Sequence, residues 1–437
     1  MRIFAKRALL PEGWARSVRI EIDSAGYIAN VVIGCDAPER EDAAPPERVV
    51  DTLVPGMANL HSHAFQRGMA GRGERRLEGR NDFWSWREAM YALASSLDPD
   101  ALYRIALKTY RAMLRSGYTA VAEFHYLHRD PRGEWYADKC ATSEALVSAA
   151  REAGIAICLL PALYAQSDPA GAPLGERRAR FATSVDDVLE ISVAMRARYA
   201  GDPAVTVGVC AHSLRAVSLR QFEALLDGSP RNVPVHLHVA EQEREVEAIE
   251  AEFGARPIEL LLRAFAVDER WCLVHATQAT DAELRAVASS GAVVGLCPTT
   301  EANLGDGFFA LSAYLEAGGA FGIGSDSNVS ISPVEELRLL EYGQRLLHKR
   351  RIVAVSGSRS CGETLYAVAA AGGARACGFR AGAIVAGSRA DFYELPQSEH
   401  DDGLLDEDAL NADRLDAYLF SDLPAAGRGM GGGRWRG

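Results

Sequence analysis

A histidine pair with one intervening residue, His61 and His63, follows the apolar run 53–60. Successive side chains of a strand point to opposite faces, so both imidazoles are predicted to project the same way. Two imidazole nitrogens on one face suit zinc and similar divalent ions. The pair therefore predicts a metal site at the end of a buried strand.

Other candidate ligands also follow apolar runs. His238 and His275 end two further predicted strands, and Asp326 directly follows a third. A lone histidine on an apolar strand is more often an ordinary core residue than a ligand, but five candidates at strand ends are hard to explain in that way. Because the carboxyl ends of parallel strands meet at one edge, these residues are predicted to share a site.

The strand that contains His238 leaves one choice open. His236 and His238 lie on the same face by the alternation rule, so either could reach the ion. The spacing to Glu241 favours His238, because a carboxylate just past the strand end can lie beside a metal and move protons. Taken alone, Glu241 is better explained as a charge near the start of a helix. His125 and His128 have no predicted role.

Two arginines near these residues, Arg87 and Arg215, are candidates for binding an anion. A guanidinium group donates two parallel hydrogen bonds to a carboxylate, so a pair of arginines suits a dicarboxylate. From spacing alone, a solvated charge or a structural ion pair explains either arginine about as well.

The elements that must position these residues form a repeated pattern. From about residue 54 onward, short apolar runs alternate with segments of helical periodicity, which is typical of βα units and a parallel sheet. Eight strands most simply close as a (β/α)8 TIM-like barrel. A doubly wound open sheet is the alternative, but its usual glycine-rich loop after the first strand is missing. The predicted strands are roughly 54–61, 119–126, 155–163, 205–212, 235–239, 272–275, 292–297 and 321–325.

The two ends of the chain differ from the middle. Residues 1–53 and 380–437 contain short β-like runs broken by Gly, Pro and Asp, and they are predicted to form one small β-sandwich domain beside a barrel of residues 54–379. The glycine-rich tail after residue 426 is expected to be a frayed end, which makes the last strand of this domain doubtful. Within the barrel, helix boundary signals are clear: Asp98-Pro99 predicts a helix start that Gly117 ends.

The composition restricts the partners. The 437 residues carry a formal net charge of -12 at pH 7. Nucleic acids and anionic membranes repel an acidic protein, so a small-molecule substrate is predicted and neither of those partners is. The N-terminal residues lack the apolar core of a signal peptide and no apolar run is long enough to span a bilayer, which together predict a cytoplasmic protein.

Four segments together resemble the amidohydrolase superfamily, and within it the zinc deaminase branch: PGMANLHSH, HLHVAE, LVHAT and GIGSDSN. The resemblance implies that one zinc ion per subunit, with iron as the alternative metal, is bound by His61, His63, His238 and Asp326. Members with two metals carry a carboxylated lysine at the end of the fourth strand. This sequence has Cys210-Ala211-His212 there, so a single metal is predicted.

A second group of segments is closely similar to the formimidoylglutamate deiminases of histidine degradation: HSHAFQRGMAG, DFWSWRE, AEFHY and AHSLRAV. That resemblance implies hydrolysis of N-formimidoyl-L-glutamate, a small anionic dicarboxylate, to N-formyl-L-glutamate and ammonia. It also implies a homodimer. The residues expected to hold the glutamate part of the substrate are Gln66, Arg87, Tyr126, His212 and Arg215.

The same resemblance implies catalytic roles. Glu241 is expected to move protons between water and the departing nitrogen, and His275 to polarise the reacting group. Asp326, a ligand itself, is expected to orient hydroxide, which zinc makes available near neutral pH. Two alternatives are a deaminase of a purine or related heterocycle, and a catalytically inactive barrel that serves as a scaffold.

Overall fold

The computed structural model describes residues 1–35, 47–72, 83–357, 359–396, 414–421 and 427–436. The strands are β1 (Arg2–Leu10), β2 (Gly13–Ile22), β3 (Ile28–Val32), β4 (Arg48–Pro55), β5 (Met57–Ser62), β6 (Tyr118–His125), β7 (Ala156–Leu163), β8 (Val205–Val207), β9 (Val209–Ser213), β10 (Val235–Val239), β11 (Trp271–His275), β12 (Val293–Leu296), β13 (Ala320–Ile323), β14 (Phe392–Glu394), β15 (Arg428–Gly431) and β16 (Arg434–Arg436).

The helices lie mostly between the strands of the middle section. They are α1 (Phe83–Ala94), α2 (Pro99–Ser116), α3 (Ala141–Ala153), α4 (Val185–Arg198), α5 (Leu219–Asp227), α6 (Glu243–Phe253), α7 (Pro257–Ala264), α8 (Asp281–Ser290), α9 (Pro298–Leu304), α10 (Leu311–Glu316), α11 (Pro333–His348) and α12 (Cys361–Ala376), with a short helix at Arg414–Phe420 and 3-10 helices at Ala64–Met69 and Glu176–Phe181. Among the described residues, no helix combines the length and the apolar character needed to cross a bilayer.

The middle section forms a closed barrel of parallel strands. β5 pairs with β6 on one side and β13 on the other, and the order continues through β12, β11, β10, β9 and β7 back to β6. The strands occupy eight positions, because β8 and β9 are two pieces of one strand on either side of Gly208. A Cβ atom on Gly208 would lie 2.5 Å from the Pro234 carbonyl oxygen, so the break has no room for a side chain. The predicted (β/α)8 TIM-like barrel is confirmed.

The first barrel strand begins later than the sequence indicated. The predicted strand 54–61 contains the end of β4, at Pro55, and most of β5, which starts at Met57. β4 pairs with β14 in a different sheet. Gly56 separates the two strands, and a Cβ atom there would lie 2.4 Å from the side-chain oxygen of Thr119. The apolar run crosses from one sheet into the other, and hydrophobicity alone cannot mark the crossing because both environments are buried.

Both ends of the chain contribute to the second sheet, whose order is β16-β15-β14-β4-β1-β2-β3. Four of its strands precede the barrel and three follow it. The sheet has a hydrophobic core of its own, which includes Ile3, Ile20, Phe392 and Met430. It fits the small β-sandwich predicted from the two termini, while the domain limits at residues 53 and 380 stay a prediction.

The glycine-rich tail forms two strands, so the expectation of a frayed end is wrong. β15 and β16 make a hairpin in which Gly431 pairs with Arg434. Between them, Gly432 and Gly433 have φ angles of 53° and 74°. Two successive residues with positive φ are the requirement of a type I′ hairpin turn. The glycines that suggested disorder are therefore the residues that permit the turn.

Helix boundaries follow the predicted signals. The carboxylate of Asp98 caps α2, Pro99 occupies its first position, and Gly117 ends it with a φ angle of 108°. A proline fits the first turn because its missing N–H would have no partner there, and glycine tolerates the left-handed ending. These ends fix where β6 starts, and hence where its final residues reach the mouth of the barrel.

Candidate active site

The predicted ligands meet at the carboxyl end of the barrel. Nε2 of His61 and Nε2 of His63 each lie 3.4 Å from Oδ1 of Asp326. Nε2 of His238 lies 3.0 Å from Nε2 of His61. All four side chains are buried. Three imidazole nitrogens and a carboxylate oxygen that converge in this way are a donor set for zinc or another divalent transition metal.

Backbone carbonyl groups orient two of these imidazoles. His63 Nδ1 donates to the carbonyl oxygen of Phe124 over 2.7 Å, and His238 Nδ1 donates to that of His212 over 2.8 Å. Each ring therefore presents the lone pair of Nε2 to the shared centre. Burial lowers the pKa of both His63 and His238, which favours the neutral form that binds metals.

His236 and His238 have different surroundings in the structure. Nε2 of His236 donates to the carbonyl oxygen of Ala376, at the end of α12, over 2.8 Å. The ring of His236 is thus turned toward a helix end, whereas His238 contacts His61. Alternation places both histidines on one face, but they lie at different depths along the barrel.

Asn328 joins the two chain segments that carry ligands. Its Nδ2 donates to the carbonyl oxygens of His63 and Asp326 over 3.1 and 2.9 Å. Asp326 in turn donates its backbone N–H to the carbonyl oxygen of His61 over 3.0 Å. This network fixes the turn after β13 against the end of β5, so the aspartate and the histidine pair keep their relative positions.

Backbone strain is concentrated at the same edge. Ala240, His275 and Asp326 are non-glycine residues with positive φ angles of 51°, 72° and 43°. Each such residue costs about 1–3 kcal/mol and persists only where its surroundings impose it. Strained positions of this kind cluster at functional sites, which agrees with the location of the candidate ligands.

Glu241 lies beside the ligand cluster, just after β10. Its Oε1 is 3.8 Å from Nε2 of His275, and its Oε2 is 3.8 Å from Nη2 of Arg215. Burial raises the pKa of Glu241 to about 6, against the opposing effect of His275 and Arg215. A carboxyl group with a pKa near neutrality can both accept and return a proton under physiological conditions.

His275 lies between two carboxylates. Glu241 faces its Nε2, and Oε1 of Glu301 lies 3.3 Å from its Nδ1. Burial alone would lower the pKa of His275, but the carboxylates of Glu241, Glu301 and Asp326 outweigh burial and raise it to about 10. The ring is therefore suited to donate a hydrogen bond toward a group that carries developing negative charge.

A cavity of about 580 Å³, which includes space open to solvent, adjoins these residues. Cavities of this size commonly bind small molecules. On its wall, Gln66 Nε2 donates to the Tyr126 hydroxyl oxygen over 2.7 Å, and the rings of His212 and Tyr164 have centroids 4.5 Å apart. The lining residues are His63, Gln66, Trp86, Met90, Tyr91, Tyr126, Tyr164, Phe181, His212, Arg215, His238, Glu241, His275, Leu304 and Asp326.

Sequence comparisons place this barrel and site in a family. Residues 52–399 match the model of the amidohydrolase family, and residues 1–42 match the N-terminal domain of formimidoylglutamate deiminase HutF. The chain is 46% identical over 436 residues to the formimidoylglutamate deiminase of Pseudomonas aeruginosa, which covers 98% of this chain and 93% of that protein. The chain belongs to the formimidoylglutamate deiminase family of amidohydrolases.

Other amidohydrolases are similar over a large part of the chain. A crystal structure of an amidohydrolase from Brucella melitensis has a TM-score of 0.92 at 41% identity, covering 99% of this chain and 94% of that one. A 5-methylthioadenosine/S-adenosylhomocysteine deaminase from Archaeoglobus fulgidus is 28% identical over 293 residues, covering 66% of this chain and 62% of that protein. The amidohydrolase family is metal-dependent, and the cluster of His61, His63 and His238 is a possible metal site in this member.

The predicted substrate-binding residues of this family member are brought together in part. Gln66, Tyr126, His212 and Arg215 all line the cavity. Arg87 lies within α1, but its side chain is outside the described part of the chain, so its role stays a prediction. All four of these residues contact other protein groups. Gln66 donates to Tyr126, the ring of His212 packs on Tyr164, and Arg215 lies near Glu241.

Two residues of this amidohydrolase site, Glu301 and Tyr164, were not predicted from the sequence. Glu301 contacts His275 from α9, and Tyr164 packs on His212 from the loop after β7. Tyr164 directly follows the predicted strand 155–163, so a search of every strand end for polar and aromatic residues would have found it. Glu301 lies on α9, a few residues after the predicted strand 292–297, and its contact depends on the pairing of β12 with β11.

Proposed function

We propose that this protein is a metal-dependent hydrolase that converts N-formimidoyl-L-glutamate and water to N-formyl-L-glutamate and ammonia. The observation that carries the proposal is that Glu241, His275 and Arg215 line the same cavity as the histidine–aspartate cluster. The cavity thus offers groups for proton transfer and for anion binding within one small volume. The 46% identity to the Pseudomonas aeruginosa enzyme supports the same substrate.

The metal in this proposal is one zinc ion per chain, with iron as the alternative. The ion would be held by His61, His63, His238 and Asp326, because their donor atoms converge and the histidines direct Nε2 toward the shared centre. Zinc in a site of this type lowers the pKa of water to about 7, so that a nucleophile is available near neutral pH.

Glu241 is the proposed proton carrier. Its carboxylate takes a proton from the attacking water as the C–O bond forms at the formimidoyl carbon. It delivers that proton to the terminal nitrogen, then takes the remaining proton from the new hydroxyl group and passes it to the same nitrogen. The C–N bond breaks as the C=O bond forms, and ammonia leaves. His275 donates from Nε2 to the reacting group and lies 3.8 Å from Glu241, close enough for the two residues to act on the same atoms.

The glutamate part of the substrate needs groups that bind two carboxylates. Arg215 supplies a largely buried positive charge, and Gln66, Tyr126 and His212 supply hydrogen-bonding groups on the cavity wall. Arg87 is the proposed second cation. Hydrogen bonds to charged groups in a buried site contribute about 1.5–3 kcal/mol each, so such a set discriminates strongly for a dicarboxylate.

The proposal also covers the oligomeric state, the cellular location and the identity of the metal. We infer a homodimer and a cytoplasmic location, both from what membership of this family of metabolic enzymes implies. Light scattering of the purified protein tests the dimer, and cell fractionation tests the location. Metal analysis of protein purified without added metal tests zinc against iron.

Ammonia release is the decisive test of the reaction. Purified protein is supplied with N-formimidoyl-L-glutamate, and with guanine and S-adenosylhomocysteine as substrates of the alternative purine-type reaction. Release of ammonia and N-formyl-L-glutamate from the first compound alone is expected. Formamide and glutamate as products would contradict the assigned bond cleavage, faster turnover of a purine would contradict the substrate, and no turnover at all would favour an inactive scaffold.

A further inference from the structure

Glu301 makes a contact to His275 that the reaction described above does not use. Oε1 of Glu301 lies 3.3 Å from Nδ1 of His275, and both side chains are buried. We propose that Glu301 is a positioning residue, whose carboxylate holds the His275 imidazole so that Nε2 faces Glu241 and the reacting group. This inference rests on the proposed function, because the importance of His275 follows from that reaction.

The carboxylate of Glu301 is itself fixed by the start of α9. The same Oε1 accepts the backbone N–H of Cys297 over 2.9 Å, and the backbone N–H of Glu301 donates to the Cys297 carbonyl oxygen over 2.9 Å. These two hydrogen bonds tie Glu301 to Cys297, the residue just before α9. Thr300 Oγ1 lies 3.0 Å from Ser327 Oγ, which ties this turn to the loop after β13. A carboxylate anchored in this way can orient a neighbouring ring with little freedom of its own.

The imidazole of His275 needs an external partner to be oriented. Its backbone has a left-handed φ angle of 72°, so the strand does not hold the residue in a relaxed conformation. Glu241, at 3.8 Å from Nε2, lies beyond direct hydrogen-bond distance. When Nδ1 donates its proton in a hydrogen bond to Glu301, Nε2 is the ring nitrogen that can contact the reacting group.

A bound metal is the competing explanation for this contact. His275, Cys297 and Glu301 each offer a ligand atom, and these atoms lie within 4.8 Å of one another. The backbone N–H of Cys297 and the His275 ring already account for the position of Glu301 Oε1, so the hydrogen-bonded arrangement needs no second metal. The two explanations differ in the number of metal ions per chain.

The test compares Glu301→Ala and Glu301→Gln with Glu341→Gln. Glu341 is also a fully buried carboxylate that accepts backbone N–H groups, from Val353 and Ala354 over 2.9 Å each, but it lies on α11 and does not line the cavity. Glu301→Ala is expected to lower kcat roughly 10- to 100-fold, the usual effect of removing a partner that orients a metal-site histidine. KM should change little. Glu301→Gln should fall between, because an amide oxygen still accepts from Nδ1.

Two readouts separate positioning from general destabilisation. Glu301→Ala should lower kcat with little change in KM, because Glu301 contacts His275 but does not line the cavity, and Glu341→Gln should leave both constants unchanged. In the resting metal-loaded protein, nitrogen NMR of histidine-labelled chains should show a downfield Nδ1 proton that both Glu301→Ala and His275→Gln remove. The chain has only 10 histidines, which makes this assignment practical.

The outcomes are distinguishable from failure of the proposed function. If the wild-type chain releases no ammonia, the reaction is wrong, and the NMR signal still tests the Glu301 contact. A folded Glu301→Ala variant with wild-type kcat and NMR signal would overturn the positioning role. Loss of a second metal equivalent in that variant would also overturn it. If Glu301→Ala does not fold, a wild-type kcat together with an unshifted Nδ1 proton signal in Glu301→Gln has the same meaning.

Discussion

Nε2 of His61 lies 3.0 Å from Nε2 of His238, and both imidazole rings are buried. Burial lowers the pKa of His61 to about 3 and that of His238 well below its ordinary value, so neither ring carries a positive charge near neutral pH. Two lone pairs held at this distance in an apolar surrounding are stabilised by a cation that both can bind. The pair is therefore the structural basis for the metal-binding predictions.

Replacement of His238 by Asn is expected to leave the protein with less than stoichiometric metal and to abolish turnover. Loss of a ligand should weaken metal binding by more than the roughly 10- to 100-fold that loss of a residue orienting a ligand costs. The matched control is His236→Asn, on the same strand, which loses a hydrogen bond to Ala376. The free energy of unfolding of that control should fall by about 1–3 kcal/mol. Its metal content should stay full. Equal metal loss in both variants would argue against the assigned ligand.

Glu241→Gln is expected to keep its metal and lose activity. Removal of a general acid–base group typically slows turnover by about 10²- to 10⁴-fold. Glu243→Gln, two residues further on and exposed, is the control that should have wild-type kcat. Metal content and kcat are measured on the same preparations. Wild-type kcat in Glu241→Gln would rule out this residue as the proton carrier.

Arg215→Met is expected to raise KM for the dicarboxylate by roughly 10- to 100-fold, which corresponds to the loss of a charged hydrogen bond of about 1.5–3 kcal/mol. Arg220→Met, at an exposed position in α5, should leave KM unchanged. Since Arg215 also lies near Glu241, its removal should favour protonation of that carboxyl and move the acid limb of the kcat–pH profile to higher pH. Unchanged KM would leave Arg215 as a structural partner of the glutamates.

His128 is predicted to make the protein acid-sensitive. Burial lowers its pKa from 6.5 to about 4. The unfolded chain therefore binds a proton that the folded chain excludes, and stability present above pH 6.5 is lost as pH falls toward 4, by up to ~1.4 kcal/mol per pH unit. Urea unfolding of His128→Leu should show a shallower decline over that range, although buried His125 contributes as well. His348→Leu, exposed on α11, is the control and should keep the wild-type slope.

Most of the fold could be predicted from the sequence because strands and helices of this barrel carry their own signals. β10 matches its predicted bounds, and the start and end of α2 follow from Asp98-Pro99 and Gly117. The boundary between the two sheets could not be predicted. Residues on both sides of Gly56 are buried, and the change of sheet is a matter of tertiary pairing that leaves no mark in hydrophobicity.

The part of the site that could be predicted from the sequence consists of side chains at the ends of strands. His61, His63, His238 and Asp326 converge as predicted. The contact between Glu301 and His275 could not be read from the sequence, because it depends on a helix turn that follows a neighbouring strand. The depth of His236 within the barrel is similarly a property of the closed sheet and of the end of α12, and alternation along one strand does not encode it.

Gly56 is a single-residue bridge between the sheet formed by the chain ends and the strand that carries the histidine pair. Its N–H donates to the carbonyl oxygen of Asp391 next to β14, and a Cβ atom at this position would lie 2.4 Å from the side-chain oxygen of Thr119 at the start of β6. A shift of β4 along its neighbouring strands would therefore be expected to change the distances from His61 and His63 to Asp326. The terminal strands thus act as an anchor for the catalytic mouth, and loosening them would misalign the ligands from a distance.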